Sequence, residues 1–156
     1  MLNLDLPIAP YWLTVLPGSP EKEQKAEDAT PRLAFKVKPC TKLVQGAARS
    51  YQRRMMEKLR EKNEGYDAIG VETPEEVDLQ DEDVANGVAE LLFAQGLGRQ
   101  GIVAIKGTAV DLPEGQDEGV PTPDEIDAIM RTPYIADLFT VNYQRVLTDL
   151  LTEGNG

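Results

Sequence analysis

The side chains that most often carry chemistry are scarce in this chain. It has no histidine, and Cys40 is its single cysteine. Without imidazole there is no His general base, no Ser–His pair and no His metal ligand. Cys40 falls between a strand pattern and a helix pattern with no base to activate it. It reads as a small inert residue that cannot form an internal disulfide, which fits a reducing compartment. The densest acidic group is Asp78, Asp81, Glu82 and Asp83. A calcium loop needs oxygens at alternating positions, Gly at the sixth and Glu at the twelfth, and no frame here supplies them. Acids at a helix start complement its dipole, which is the simpler reading. Gly96, Gly98 and Gly101 match G-x-G-x-x-G, but they follow a helical pattern and lack the strand that gives that spacing its meaning. They read as the frayed end of a helix. Paired carboxylates are plentiful, yet none has apolar sequence around it to raise a pKa. The inventory predicts no cofactor, no metal and no enzymatic activity. It points to a protein that binds.

The distribution of charge supports this. Residues 32–62 hold ten Lys/Arg against Glu57 and Glu61, a local balance of +8. Residues 63–156 balance at −16 and residues 1–31 at −3, for a net −11. An acidic chain of this kind is poorly suited to general nucleic-acid or acidic-membrane binding. Its basic segment invites a protein partner, or its own acidic half. The first sixteen residues lack a basic leader region and are broken by Pro7 and Pro10, so they do not read as a signal peptide. No apolar run approaches the length of a membrane span, and a soluble intracellular protein is expected.

At 156 residues the expectation is one domain, mainly α with a small β element, and an N-terminal β-hairpin packed on a helical part. Residues 11–16 (YWLTVL) are rich in β-formers and end at Pro17-Gly18. Residues 17–31 show no apolar periodicity and predict a mobile loop. Residues 32–38 alternate, with Leu33, Phe35 and Val37 on one face and Arg32, Ala34, Lys36 and Lys38 on the other, solvated one. This N-terminal element, residues 1–38, needs a helix to cover it, and the helix that follows, 42–62, is expected to pack on it. After Pro39 and the N-cap candidate Thr41, residues 42–62 predict a helix about 31 Å long. Leu43, Ala47, Tyr51, Met55 and Leu59 form its buried stripe, and Arg49, Arg53 and Arg54 lie off it. Residues 39–156 form the helical part, with acidic loops at 63–80 and 107–121. Thr73-Pro74 leads toward a helix over 81–95 carrying Val84, Val88, Leu91, Leu92 and Gln95. Residues 102–105 fit either a continuation of that helix or a short buried strand. Thr122-Pro123-Asp124-Glu125 is a capping box that starts a short helix with Ile126, Ile129 and Met130. Thr132-Pro133 starts the last helix, with Ile135, Leu138, Phe139, Asn142, Val146 and Leu150 as its stripe. Ile126, Ile129, Met130, Leu138 and Phe139 form a dense apolar run, part of which is expected to face a partner helix. With Arg49, Arg53 and Arg54 they are the candidate partner-binding residues.

The run RLAFKVKP followed by CTKLVQGAARS resembles the start of small tail-assembly proteins of long-tailed bacteriophages. AELLFAQGLGRQGIVAIKGT and TPDEIDAIMRTPYIADLFTVNYQRVLTDLLTEGNG are similar to the remainder of such a prophage family. The likeness spans roughly residues 32–156 as a pattern of elements and charges. It implies a tail assembly chaperone in the host cytoplasm, with the phage tape-measure protein and the tail-tube protein as partners. Such proteins coat the long helical tape-measure protein, help tube subunits assemble around it and leave before the particle is complete. They often also have a frameshifted longer form. Neither nucleic acid nor membrane is an implied partner, and a homo-oligomer is compatible with the role. Two alternatives stay open: a structural head–tail or tail-end component, and an acidic regulatory protein that binds a basic partner.

Overall fold

The computed structural model describes residues 9–19 and 29–155, with side-chain surroundings as far as Arg145. The chain is mainly helical with a small antiparallel sheet. It divides into two compact units. One holds the sheet and comprises residues 1–39, 101–121 and 141–156; the other is helical and comprises residues 40–100 and 122–140.

In the sheet unit, β1 (Tyr11–Leu16) and β2 (Leu33–Val37) form the expected hairpin, pairing Leu13 with Phe35. Most of the loop expected to be mobile, residues 20–28, lies outside the described residues. The hairpin closes above it through Arg32 N–H to the Leu16 carbonyl at 2.9 Å. The ambiguous run after residue 101 is a strand, β3 (Ile102–Lys106), which pairs antiparallel with β2 and makes the order β1-β2-β3. β2 is therefore central, and Leu33, Phe35 and Val37 are buried as the alternation requires. Ala34, expected on a solvated face, is buried as well. It lies between Thr14 and Lys106 in register, and the Lys106 ammonium reaches to 4.0 Å from the Trp12 ring centroid, so the lysine stem roofs it. The acidic loop 107–121 is irregular, except that Gly119 exchanges both backbone bonds with Ile105 on the outer edge of β3.

The helix that meets the hairpin in this unit is α4 (Ile135–Asn155), through Tyr143. Tyr143 is fully buried and donates its hydroxyl to the Lys38 carbonyl at 2.5 Å, while Lys38 N–H donates to the Gly101 carbonyl at 2.8 Å. A Cβ on Gly101 would lie 2.4 Å from the Tyr143 hydroxyl, so only glycine fits there. The stripe expected on this helix included Ile135 and Phe139, both buried, but passed over Tyr143.

In the helical unit, α1 (Lys42–Glu57) starts where Thr41 Oγ1 accepts from Val44 N–H at 3.3 Å. It runs on as a π-helical turn (Lys58–Lys62) and stops at left-handed Asn63, which reproduces the expected 42–62 span. Met55 and Leu59 are buried with Tyr66, Ile69 and Leu92. Leu43, expected on the buried stripe, is 85% exposed. α2 (Glu82–Gly101) is capped by Asp81, whose Oδ1 accepts from Asp83 N–H and Val84 N–H. Thr73-Pro74 makes only a single 3-10 turn (Pro74–Glu76). α3 (Pro123–Met130) begins with the full capping box between Thr122 and Glu125.

The glycines 96–101 are not a frayed end. They lie inside α2, where Gly96 and Gly98 are buried. At Gly96 a Cβ would stand 2.9 Å from the Ala48 carbonyl oxygen, so the α1 and α2 backbones touch there. Gln52 Nε2 adds a 2.7 Å bond to the Ala89 carbonyl along the same crossing. Gly46 on α1, by contrast, has nothing within 4 Å of an added Cβ. Gly96→Ala is expected to cost about 1–3 kcal/mol through overpacking. Gly46→Ala is expected to gain about 0.5–1 kcal/mol of helix propensity. Urea midpoints check both, and a stable Gly96→Ala protein would refute the close crossing.

Candidate protein-binding surface

The eight candidate contact residues separate by burial. Arg49, Arg53 and Arg54 are exposed on α1. Among the described residues none of them forms an ion pair, since Arg99–Asp127 is the one such pair there. Lys42, Arg49 and Arg53 stand at i, i+7 and i+11, so at 3.6 residues per turn they fall within a sector of about 40° over about 17 Å of helix. The buried side of α1, with Ala48, Met55 and Leu59, lies away from this row.

The apolar candidates are mostly core. Of the run expected to be open in part, Ile126, Met130 and Phe139 are core, at 4%, 1% and 0% exposed. Ile129 is half-buried and Leu138 is 38% exposed. The physical reason is amphipathic economy: α3 has only eight residues, and its few apolar side chains are spent on its own unit. The large apolar residue most exposed nearby is Tyr134, between α3 and α4, held at φ +70° in the left-handed region.

A buried polar group organises the helical unit, and sequence reasoning missed it. Asp127, 3% exposed, receives Arg99 in a two-pronged fork, Nε to Oδ1 at 2.9 Å and NH2 to Oδ2. Gln95, fully buried, donates to the Ala68 carbonyl at 2.6 Å and to the Asp127 carbonyl at 3.3 Å. The Arg99 guanidinium also stacks 5.0 Å from the Tyr51 ring centroid. The hydrogen bond that Arg99 donates to Asp127 holds its guanidinium above the ordinary pKa, against the effect of burial. Burial, then the nearby Asp127 charge, push the Tyr51 phenol up, against Arg99 and Arg54. Among the described residues the Tyr51 hydroxyl and Gln95 Oε1 are buried without a hydrogen-bond partner. The residues are ones of packing and orientation, with part of the guanidinium reaching solvent.

The acidic cluster at 78–83 is spent on local turns: Asp78 Oδ1 accepts from Gln80 N–H, and Asp81 caps α2. No group of three metal-ligating side chains converges among the described residues. Cys40 is buried, and burial pushes its thiol up, against Gln45 and Lys42, so its thiolate is disfavoured. An open cleft of about 750 Å³ runs along loop 107–121, but Lys106 on its wall is engaged with Trp12. No helix among the described residues is long and apolar enough to cross a membrane. Comparison with family models, with curated proteins and with solved structures finds no match.

Two measurements test the buried group. Asp127→Ala strands the Arg99 charge and is expected to cost about 2–3 kcal/mol, below a fully buried pair because Arg99 is partly solvated. Tyr51→Phe removes an unpartnered hydroxyl and is expected to leave neutral-pH stability unchanged or slightly raised. The folded state keeps the Tyr51 and Cys40 protons beyond the pH at which the unfolded chain loses them. Stability should therefore fall as pH rises, from about pH 9 for the thiol and about pH 10 for the phenol. Tyr51→Phe should flatten the upper part of that fall in unfolding curves taken at alkaline pH; an unchanged slope would contradict the assignment.

Proposed function

We propose that this chain is a tail assembly chaperone of a long-tailed bacteriophage, which binds the tape-measure protein and aids assembly of the tail tube. The observation that carries the reading is the exposed basic row of α1, free of ion pairs among the described residues, in a chain of net charge −11. Such a row offers a binding face, while the acidic remainder keeps a complex with an apolar helix in solution. The order of elements and charges over residues 32–156, which resembles that phage family, supplies the identity of the partner. Because Ile126, Met130 and Phe139 are core, contact falls to the α1 row and to the exposed side chains near Tyr134 and Leu138. The work is binding, with no reaction and no cofactor.

Co-expression with the long, helix-rich protein encoded downstream is expected to keep that protein soluble and to co-purify it. Arg53→Glu with Arg54→Glu is expected to weaken the complex by about tenfold or more, with the loss greatest at low salt. A downstream protein that is soluble alone and never co-purifies would remove the reading, and finding this chain in mature particles would favour a structural component.

A further inference from the structure

We infer that the basic row of α1 is a self-association site, whose occupant is the acidic segment 72–83 of a second copy of this chain. Both patches belong to the helical unit. Residues 72–83 carry seven carboxylates, all on exposed residues, and no Lys or Arg occurs from 63 to 98. The α1 row presents Lys42, Arg49 and Arg53, also exposed. Two strong patches of opposite sign on one unit would ordinarily be joined by ion pairs. Here no ion pair joins them among the described residues. Arg60, in the π-helical turn after α1, and Glu82 border a shared cleft of about 440 Å³. Lys42, Arg49 and Arg53, in the first three turns of α1, form no ion pair among the described residues.

A second copy supplies the match directly. The acids are held on a capped framework: Asp78 and Asp81 fix their turns, and Thr73 donates to Glu76 at 3.3 Å, so little order is lost on contact. The two patches differ, so each contact joins unlike surfaces of the two copies. With few apolar groups at either patch, the attraction is screened beyond about 10 Å at 0.1 M salt. Nucleic acid is the poorer occupant, because a chain of net charge −11 repels phosphate outside the immediate contact. The phage partner of the chaperone reading would take the same row, so the two contacts compete, and the purified chain alone tests self-association.

Sedimentation velocity on the full chain tests it. The wild type is expected to associate with rising concentration at low salt and to dissociate at high salt. Arg49→Glu with Arg53→Glu is expected to be monomeric at low salt, as is Glu75→Lys with Glu76→Lys. Mixing these two variants should restore a heteromer within about tenfold of wild-type affinity, because the charges are exchanged rather than lost. Circular dichroism establishes that each variant is folded; should a reversal lose its helical signal, Arg49→Gln with Arg53→Gln replaces it and must also weaken association. A wild type that remains monomeric at low salt overturns the inference. So does association that survives the substitutions, a mixture that stays monomeric, or duplex DNA that displaces the second copy with a steep salt dependence.

Discussion

A carboxylate withdrawn from water must find a cation, and in the helical unit that requirement falls on Asp127. Its partner, Arg99, is near the end of α2, so the register of α3 against α2 is set by a fork with two fixed prongs rather than by grease alone. Gln95, one turn earlier on α2, takes hold of the backbone on both sides, at Ala68 and at Asp127. The 3-10 turn (Tyr66–Ile69) is thereby tied to the same helix that carries the arginine. Arg131 adds a bond from its guanidinium to the Ala68 carbonyl at 3.0 Å. The apolar cluster of Met55, Leu59, Tyr66, Ile69 and Leu92 supplies the driving force of burial. The polar group decides which of many greasy arrangements is kept.

Much of the architecture was legible in the sequence because it rests on local rules. The Thr41 cap and the Thr122–Glu125 box act over a few residues and are present in the fold, as are the strand at 33–37, with Ala34 buried against expectation, and the α1 stripe from Met55 to Leu59, though not at Leu43. What was hidden depends on distant neighbours. A run of four apolar residues after Gly101 became a strand only because β2 offered it an edge. The glycines of α2 looked like fraying because a Cβ clash with Ala48 or Tyr143 cannot be read from spacing alone. Tyr143 did carry a signal, since it continues Ile135 and Phe139 at intervals of four. The candidate surface was half legible: charge ensured that the arginines stayed in water, whereas hydrophobicity alone could not say whether Ile126 and Met130 faced a partner or their own core.

That division has a physical logic for a small acidic chain. Many of its helices' apolar residues, such as Met55, Leu92, Ile126, Met130 and Phe139, are needed inside. What remains outside is mostly charge, sorted into a basic row and long acidic stretches. A surface of that composition recognises by field and salt-sensitive contact more than by shape.

The pairing of β2 with β3 has a further consequence for how the chain reaches this state. Val37 and Ile102 are partners across roughly sixty-five intervening residues, nearly all of them belonging to the helical unit. Closing a flexible loop of that length costs on the order of 4 kcal/mol in chain entropy. The Lys38–Gly101 backbone bond closes the same loop, while the stretch inside it completes its own unit only with residues 122–140. The sheet unit is assembled from three separate stretches of chain, so no continuous fragment contains it. Each unit is thus interrupted by chain that belongs to the other.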